Sequence, residues 1–319
     1  MSSMGTTKTM KLEILAIGAN PAWQKVLQFE HFKYDAVNRA ESMWSFASGK
    51  GINFARAAKI WDRAEVTLLQ FAGGDNGKLL LDNLQHENLQ VKTFPSAFPT
   101  RCCTTCLSKA DGTMTELIEP SQGPGKESVD AAMSYIVDKI QSVRAIALCG
   151  QLPSGMDIDF YVKCAGLAAD NGKLLLIDSW KNVAPVLQKA HNAILKVNAD
   201  ELLALTGMNE IIPAMKMLLD TTNLGYLAIT DGCKQAYFAD RNCCWSYTVP
   251  RLAEVVNPVG SGDTASAVLL SSMLAAVAPE RAFAEALAAA SANCLSMKCG
   301  QFEFDQAINL LKDIQIQKL

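Results

Sequence analysis

Val255-Val256-Asn257-Pro258-Val259-Gly260-Ser261-Gly262-Asp263-Thr264 leads from an apolar pair through a glycine loop into Ala265, Val268, Leu269, Ser272, Met273 and Ala276, spaced as in a helix that lasts until Pro279. A glycine loop therefore opens a helix. The N–H groups of a helix start have no intrahelical partners and the helix dipole is positive there, so the position attracts anions. Glycines let a phosphate approach such a backbone without a Cβ in the way. An Asp beside that phosphate is costly unless it takes a proton from an attacking hydroxyl, as phosphoryl transfer to an alcohol requires. Two other readings fit the same residues: Asp263 also suits a helix cap, and Gly260-x-Gly262-x-x-Ala265 satisfies the loose dinucleotide fingerprint. Against the fingerprint, Pro258 interrupts the strand that should feed the loop, and the chain after Gly262 has room for what reads as two helices. A Walker-type phosphate loop is excluded, because Lys50, Lys78, Lys126 and Lys173 follow glycine but none precedes Ser or Thr.

Working outward, a second glycine loop, Ala47-Ser48-Gly49-Lys50-Gly51-Ile52-Asn53, also opens a helix, with Ala55, Ala58 and Trp61 on one face and Arg56 on another. Lys50 and Asn53 there suit a sugar phosphate and its hydroxyls; a plain turn with a solvated lysine fits equally. Short apolar runs at Leu12–Ile17, Val66–Phe71, Ala145–Cys149, Leu174–Ile177, Ile194–Val197 and Tyr226–Ile229 read as buried parallel strands. Helical patterns at Gly51–Asp62, Gly77–His86, Ser128–Gln141, Asp159–Asn171 and Ala199–Thr206 separate many of them. The repeated strand–helix unit predicts an α/β fold, a mostly parallel sheet covered on both faces. Two stretches, Val26–Phe46 and Val91–Glu119, break the rhythm and read as a small second β layer. Ala236–Ala239 and Cys243–Thr248 flank Asp240-Arg241-Asn242 as a hairpin.

Composition narrows the function classes. The 319 residues are 50% hydrophobic and 19% charged, which describes a globular chain rather than a disordered one. With 29 Lys+Arg against 32 Asp+Glu the net charge is −3, and no lysine-rich run offers a footprint for a nucleic-acid backbone. The apolar stretches Val268–Val277 and Ala282–Ala290 are broken by Ser271, Ser272, Pro279, Glu280, Arg281 and Glu285, short of the roughly 20 residues of a membrane span. The N-terminus has two lysines but no small-residue cleavage site after a hydrophobic run, so no secretory signal is expected and the expected address is the cytoplasm. The ten cysteines are scattered and read as reduced thiols. Cys103-Thr-Thr-Cys106 has metal-like spacing, but no second pair or nearby His completes a zinc site.

Together these residues resemble the ribokinase-like (PfkB) carbohydrate kinases, most closely the 1-phosphofructokinase and tagatose-6-phosphate kinase branch, over nearly the whole chain. The likeness rests on Asn20-Pro21, Val37-Asn38-Arg39, Ser48-Gly49-Lys50-Gly51-Ile52-Asn53 with Arg56, and Thr100-Arg101. It continues through Gly150-Gln151-Leu152-Pro153, Asp178, Lys196-Val197-Asn198-Ala199-Asp200-Glu201, Thr230-Asp231-Gly232 and, above all, Val256 to Asp263. The resemblance implies a single domain over 1–319. That domain would be a three-layer α/β/α sandwich with a mostly parallel central sheet and a small β lid formed from about 22–47 and 91–120. It implies ATP and Mg²⁺, with Asp263 as general base and Gly260, Ser261 and Gly262 as backbone donors to the transferring phosphoryl group. Asn198 and Glu201 would help hold Mg²⁺, a solvated cap being the bland alternative for Glu201. Lys196, Thr230, Gly232 and Asn293 would stand on the nucleotide side. Asn20, Gln24, Ser48, Gly49, Lys50 and Asn53 would meet the sugar, with Arg39, Lys50 and Arg101 gripping the phosphate it already carries. The implied reaction is phosphorylation of a phosphorylated ketohexose, and the implied assembly a homodimer through the lid. The alternatives are an unphosphorylated sugar or nucleoside as acceptor, or a ligand-binding member without catalysis.

The chain departs from the family pattern at four loop positions. Gln24 stands where sugar-phosphate kinases carry an Asp, losing a charge-assisted acceptor worth ~1–2 kcal/mol over a neutral one. Ser48, Gln151 and Gln235 replace a Gly, a Ser and a Gly.

Overall fold

Strands at the centre of the molecule carry apolar residues in unbroken runs because both of their faces are covered. The computed structural model describes residues 12–319; residues 1–11, where most of the N-terminal reading falls, lie outside the described residues. The first half holds β1 (Leu12–Gly18), β2 (Ala22–Phe29), β3 (Ser42–Ser48), α1 (Lys50–Trp61), β4 (Ala64–Ala72), α2 (Gly74–His86), β5 (Gln90–Pro95), β6 (Arg101–Ser108), β7 (Thr113–Ile118) and α3 (Lys126–Lys139). There follow β8 (Ala145–Cys149), α4 (Asp159–Asp170), β9 (Leu174–Asp178), α5 (Ala184–Lys189), β10 (Ala193–Asn198), α6 (Ala199–Thr206), α7 (Ile211–Thr221) and β11 (Leu224–Thr230). The chain closes with β12 (Ala236–Ala239), β13 (Cys244–Thr248), α8 (Ser261–Leu274), α9 (Pro279–Asn293), α10 (Phe304–Leu311) and β14 (Gln315–Lys318).

Among the described residues the main sheet has ten strands in the order β14-β13-β12-β11-β10-β9-β8-β1-β4-β5. From β11 to β5 every neighbouring pair is parallel, and β12, β13 and β14 extend the sheet antiparallel. Alternate residues feed two cores. Ile14 and Ala16 face one core with α1, α8, α9 and α10, while Leu15 and Ile17 face the other with α3, α4, α5, α6 and α7. The result is the expected α/β/α sandwich. Helix α8 is buried without a break from Asp263 to Ser272. The hydroxyls inside are satisfied: Ser271 donates to the Ala267 carbonyl, and Ser272 accepts from Trp61 Nε1 at 2.9 Å.

A second sheet, in the order β3-β2-β6-β7, stands apart from the first. It corrects one boundary of the expected small layer, since Gln90–Pro95 is not part of it but pairs parallel with β4 at the edge of the main sheet. Alternating apolar and polar residues read alike in either sheet; the hydrogen-bond partner decides between them. The small sheet therefore takes its later strands from 101–118 only. The end of the chain is also richer than expected, with α8, α9, α10 and the strand β14 after the glycine loop rather than two helices. Cys103 and Cys106 lie three residues apart on β6, so their side chains point to opposite faces and cannot converge on one ion.

Candidate active site

The strand order reverses at β1, which has β4 on one side and β8 on the other. In an open parallel sheet such a reversal leaves a crevice beyond the carboxyl ends of the strands. The predicted site residues gather along that edge: Asn20 follows β1, Asp178 ends β9, Asn198 ends β10, Thr230 ends β11, and α1 and α8 begin there.

Gly260 is the N-cap of α8 at φ +86°, and no side chain caps this helix. A Cβ at Gly260 would come within 2.9 Å of Cys299 and the Gly300 backbone, so glycine is required there, while one at Gly262 would meet only the mobile end of Lys196, Nζ at 2.7 Å. The loop before the helix is laced to the segment after α9. Asn257 donates to the Met297 carbonyl at 2.9 Å and accepts from the Val259 N–H, while Asn293 donates to the Val259 carbonyl at 3.1 Å and accepts from Thr264 and the Gly300 N–H. Asn293, read as a nucleotide-side residue, thus has its amide committed to holding the loop.

Asp263, three residues into α8, does not cap its own helix. Its Oδ2 accepts from Asn53 Nδ2 at 2.8 Å, across from the start of α1. Asn53 Oδ1 in turn accepts from Ser48 Oγ at 3.1 Å and from Arg56 Nη1 at 3.4 Å. Burial disfavours the charged form of Asp263 and pushes its pKa up to about 6; Asp178 adds to the rise, while Lys50, Asn53 and Lys196 oppose it. The group therefore changes charge just below neutral pH.

Beside it lies a charge cluster centred on Asp178. Lys50 Nζ donates to Oδ1 of Asp178 at 2.6 Å, Ser266 Oγ donates to Oδ2 at 2.8 Å, and Lys196 Nζ is 3.8 Å from Oδ2. Burial alone would raise the pKa of Asp178, but Lys196 and Lys50 hold it below the usual carboxylate range. Burial likewise disfavours the charge on Lys50, yet Asp178, Asp263 and Glu201 outweigh it and lift its pKa. Asp178 and Ser266 were not assigned roles from the sequence. The usable signal was an Asp at the last position of a parallel strand, where ligand-facing residues concentrate.

Asn198 and Glu201 form a capping box at α6: Glu201 N–H donates to Asn198 Oδ1 at 2.7 Å, and Asn198 N–H donates to Glu201 Oε2 at 2.9 Å. The cap reading of Glu201 is thus realised, and its charge also reaches Lys50. Thr230 ends β11 and Gly232, at φ +55°, follows it in an open turn.

At the other end of the site, Ala22 of β2 pairs with Ser48 of β3 and with Arg101 of β6, and residues so paired share a face, which Gln24 joins two residues on. Gln24 is buried and donates to Thr105 Oγ1 at 2.9 Å. Arg101 Nη2 donates to the Asn20 carbonyl at 3.3 Å, while its Nε is buried with no protein partner. Arg39 does not join Lys50 and Arg101. It is exposed in the loop beyond Phe29, at the far end of the β2–β3 hairpin, about 20 Å away along the strand.

A three-layer fold with a second sheet, and a buried Asp at a helix start that no side chain caps, suits phosphoryl transfer to an alcohol. Residues 11–305 match the model of the pfkB family carbohydrate kinases, and the chain belongs to that family. It is 24% identical over 310 residues to the tagatose-6-phosphate kinase of Staphylococcus epidermidis, covering 95% of this chain and 99% of that one. A crystal structure of a putative phosphofructokinase from Staphylococcus aureus is similar at 28% identity and TM-score 0.75, over 96% of this chain and 99% of that one. Phosphofructokinase-2 from Escherichia coli, in complex with substrates and products, shares the fold at TM-score 0.84 and 19% identity, over 95% and 99% of the two chains. A tetrameric inhibited form of that enzyme is also among the similar structures. Among the described residues no single helix is long and apolar enough to cross a membrane.

Proposed function

We propose that this protein transfers the γ-phosphoryl group of ATP to a hydroxyl of a phosphorylated ketohexose, with tagatose 6-phosphate, fructose 1-phosphate and fructose 6-phosphate as the candidate acceptors. The observation that carries this is the carboxyl of Asp263, buried at the uncapped start of α8 and pushed up to about 6. Such a group is ionised at neutral pH and close enough to it to accept a proton from the attacking hydroxyl. The first-turn backbone of Gly260, Ser261 and Gly262 supports stabilisation of the charge on the transferring group. Arg101 supports a substrate that already carries a phosphate: a buried guanidinium N–H without a partner is costly until an anion fills the place. Lys50, held by Asp178, is the second cation for that phosphate, while Asn20, Gln24, Ser48, Gly49 and Asn53 meet the sugar.

Asn198 and Glu201 offer the hard oxygen donors Mg²⁺ prefers. No group of three His, Cys, Asp or Glu converges among the described residues, so phosphate and water oxygens would complete the shell, as is usual for this ion. Bound there, Mg²⁺ would neutralise phosphate charge. Lys196, Thr230 and Gly232 line the nucleotide side, and Asn293 shapes the loop rather than touching ATP through its amide. The small sheet acts as a lid that excludes water from the reaction. Its edge strand β7 leaves Met114, Leu117 and Ile118 exposed, which supports a homodimer through the lid. Ten free cysteines suit the reducing cytoplasm.

Coupled ADP release from Mg-ATP, measured with the three ketose phosphates and with fructose, ribose and adenosine, tests the reading. Turnover with one ketose phosphate and none with the unphosphorylated compounds is expected. Turnover confined to the unphosphorylated compounds overturns the assignment of Arg101 and Lys50, and silence with bound ATP overturns the assignment as a kinase.

A further inference from the structure

Arg56 spends every donor of its guanidinium inside the protein. Nε and Nη2 form a two-pronged pair with Glu87 at 2.7 and 3.0 Å, Nη2 also donates to the Ala47 carbonyl at 2.9 Å, and Nη1 donates to the Cys299 carbonyl and to Asn53 Oδ1. Glu87 is fixed in turn by Lys298 Nζ at 2.8 Å. The side chain is buried. Its contacts tie together the end of β3, the first turns of α1, the end of α2 and the segment after α9. Among the groups it reaches is the side chain of Asn53.

The amide of Asn53 has one orientation in which all its neighbours are satisfied. Ser48 Oγ and Arg56 are both donors on the Oδ1 side, which forces Nδ2 towards the Asp263 carboxylate. We infer that Arg56 is a positioning residue for the phosphoryl transfer: it locks the Asn53 amide so that Asp263 Oδ2 is occupied by an N–H and Oδ1 alone is left to take the substrate proton. This rests on Asp263 being the base. Without the lock the amide is no longer held square to the carboxylate, and the ionised form of Asp263 loses part of that donor.

The charged and titratable groups facing Asp263 are Lys50 of α1, Asp178 of β9, Lys196 of β10, Cys149 at the end of β8 and Cys299 after α9. Arg56→Lys leaves Lys50, Asp178, Lys196 and Cys149 as they are and keeps a positive charge beside Cys299 while losing the fork. The experiment is the pH profile of kcat/KM, from pH 5 to 9, for the full chain and for Arg56→Lys, Asn53→Ala and the double variant, with thermal melts alongside. Loss of a donor to the carboxylate raises the pKa of Asp263, so Arg56→Lys is expected to move the acid limb up by roughly one pH unit and to lower kcat about tenfold. In the Asn53→Ala background the same change should move the limb no further. A lowered melting temperature with an unmoved limb, or an equal shift in both backgrounds, overturns the inference. If Arg56→Lys does not fold, Ser48→Ala removes the other donor to Asn53 Oδ1 and should move the limb in the same direction by less; no movement there counts against the lock. Asp263→Asn serves as the control, because near-normal turnover in that variant defeats the assignment of the base itself, whatever the Arg56 variants do.

Discussion

Two helices open at the same edge of the main sheet, each with an acid three residues past its N-cap, and they use that acid in opposite ways. At α6 the N-cap is Asn198, whose side chain takes the Glu201 N–H while the Glu201 carboxylate bends back to the Asn198 N–H. The helix closes on itself. At α8 the N-cap is Gly260, which has no side chain to offer, and the carboxylate of Asp263 points away from its helix to Asn53. The first-turn N–H groups of α8 have no side-chain cap. A capping residue thus decides whether an acid at a helix start turns back on its own helix or reaches across to another element, and the one that reaches across sits where burial pushes its pKa up to about 6.

The largest effect that tests this contrast is Asp263→Asn. Its kcat should fall by roughly 10²–10⁴-fold, with ATP binding retained. Its stability should move the other way. A folded pKa of about 6 against ~3.9 for an unfolded Asp means that the native state binds more protons between those values, so stability falls as pH rises through that window. At pH 7 the charge is a cost the Asn removes, and the melting temperature should rise by a few degrees, with the gain shrinking towards pH 4. At saturating Mg²⁺ Glu201→Gln should lose far less, and an equal loss there would break the contrast. A smaller effect is expected for Asp178→Asn. The negative charge of Asp178 raises the pKa of Asp263, so its removal should move the acid limb of kcat/KM to lower pH; a shift to higher pH would mean that Lys50, once released, has left the site. The smallest is Asn198→Ala, which deletes one half of the capping box and should cost about 1 kcal/mol in a denaturant melt while changing kcat far less than Asp263→Asn does.

The glycine loops and the uninterrupted apolar runs made much of this legible in advance. Helix α6 was read at Ala199–Thr206, the bounds it has, because its cap signal and apolar spacing are local. The edge strand β5 was misplaced because its alternation fits either sheet until a partner is chosen. The family resemblance groups Arg39 with Lys50 and Arg101, although a hairpin's length lies between them. Asp178 carried no role in the sequence reading, since its importance comes from Lys50, 128 residues away in the chain, and from Ser266 and Lys196.

The sequence by itself determined the class of fold, the two helix starts built on glycine and the acid placed three residues into each functional helix. Those features depend on backbone conformation and on residues within a few positions of one another. Tertiary structure alone decided which acid reaches across to another element, which amide holds it, and how far its pKa moves. Burial and charge coupling belong to groups that meet only when β9, β10, α1 and α8 bring their ends to one edge of the sheet.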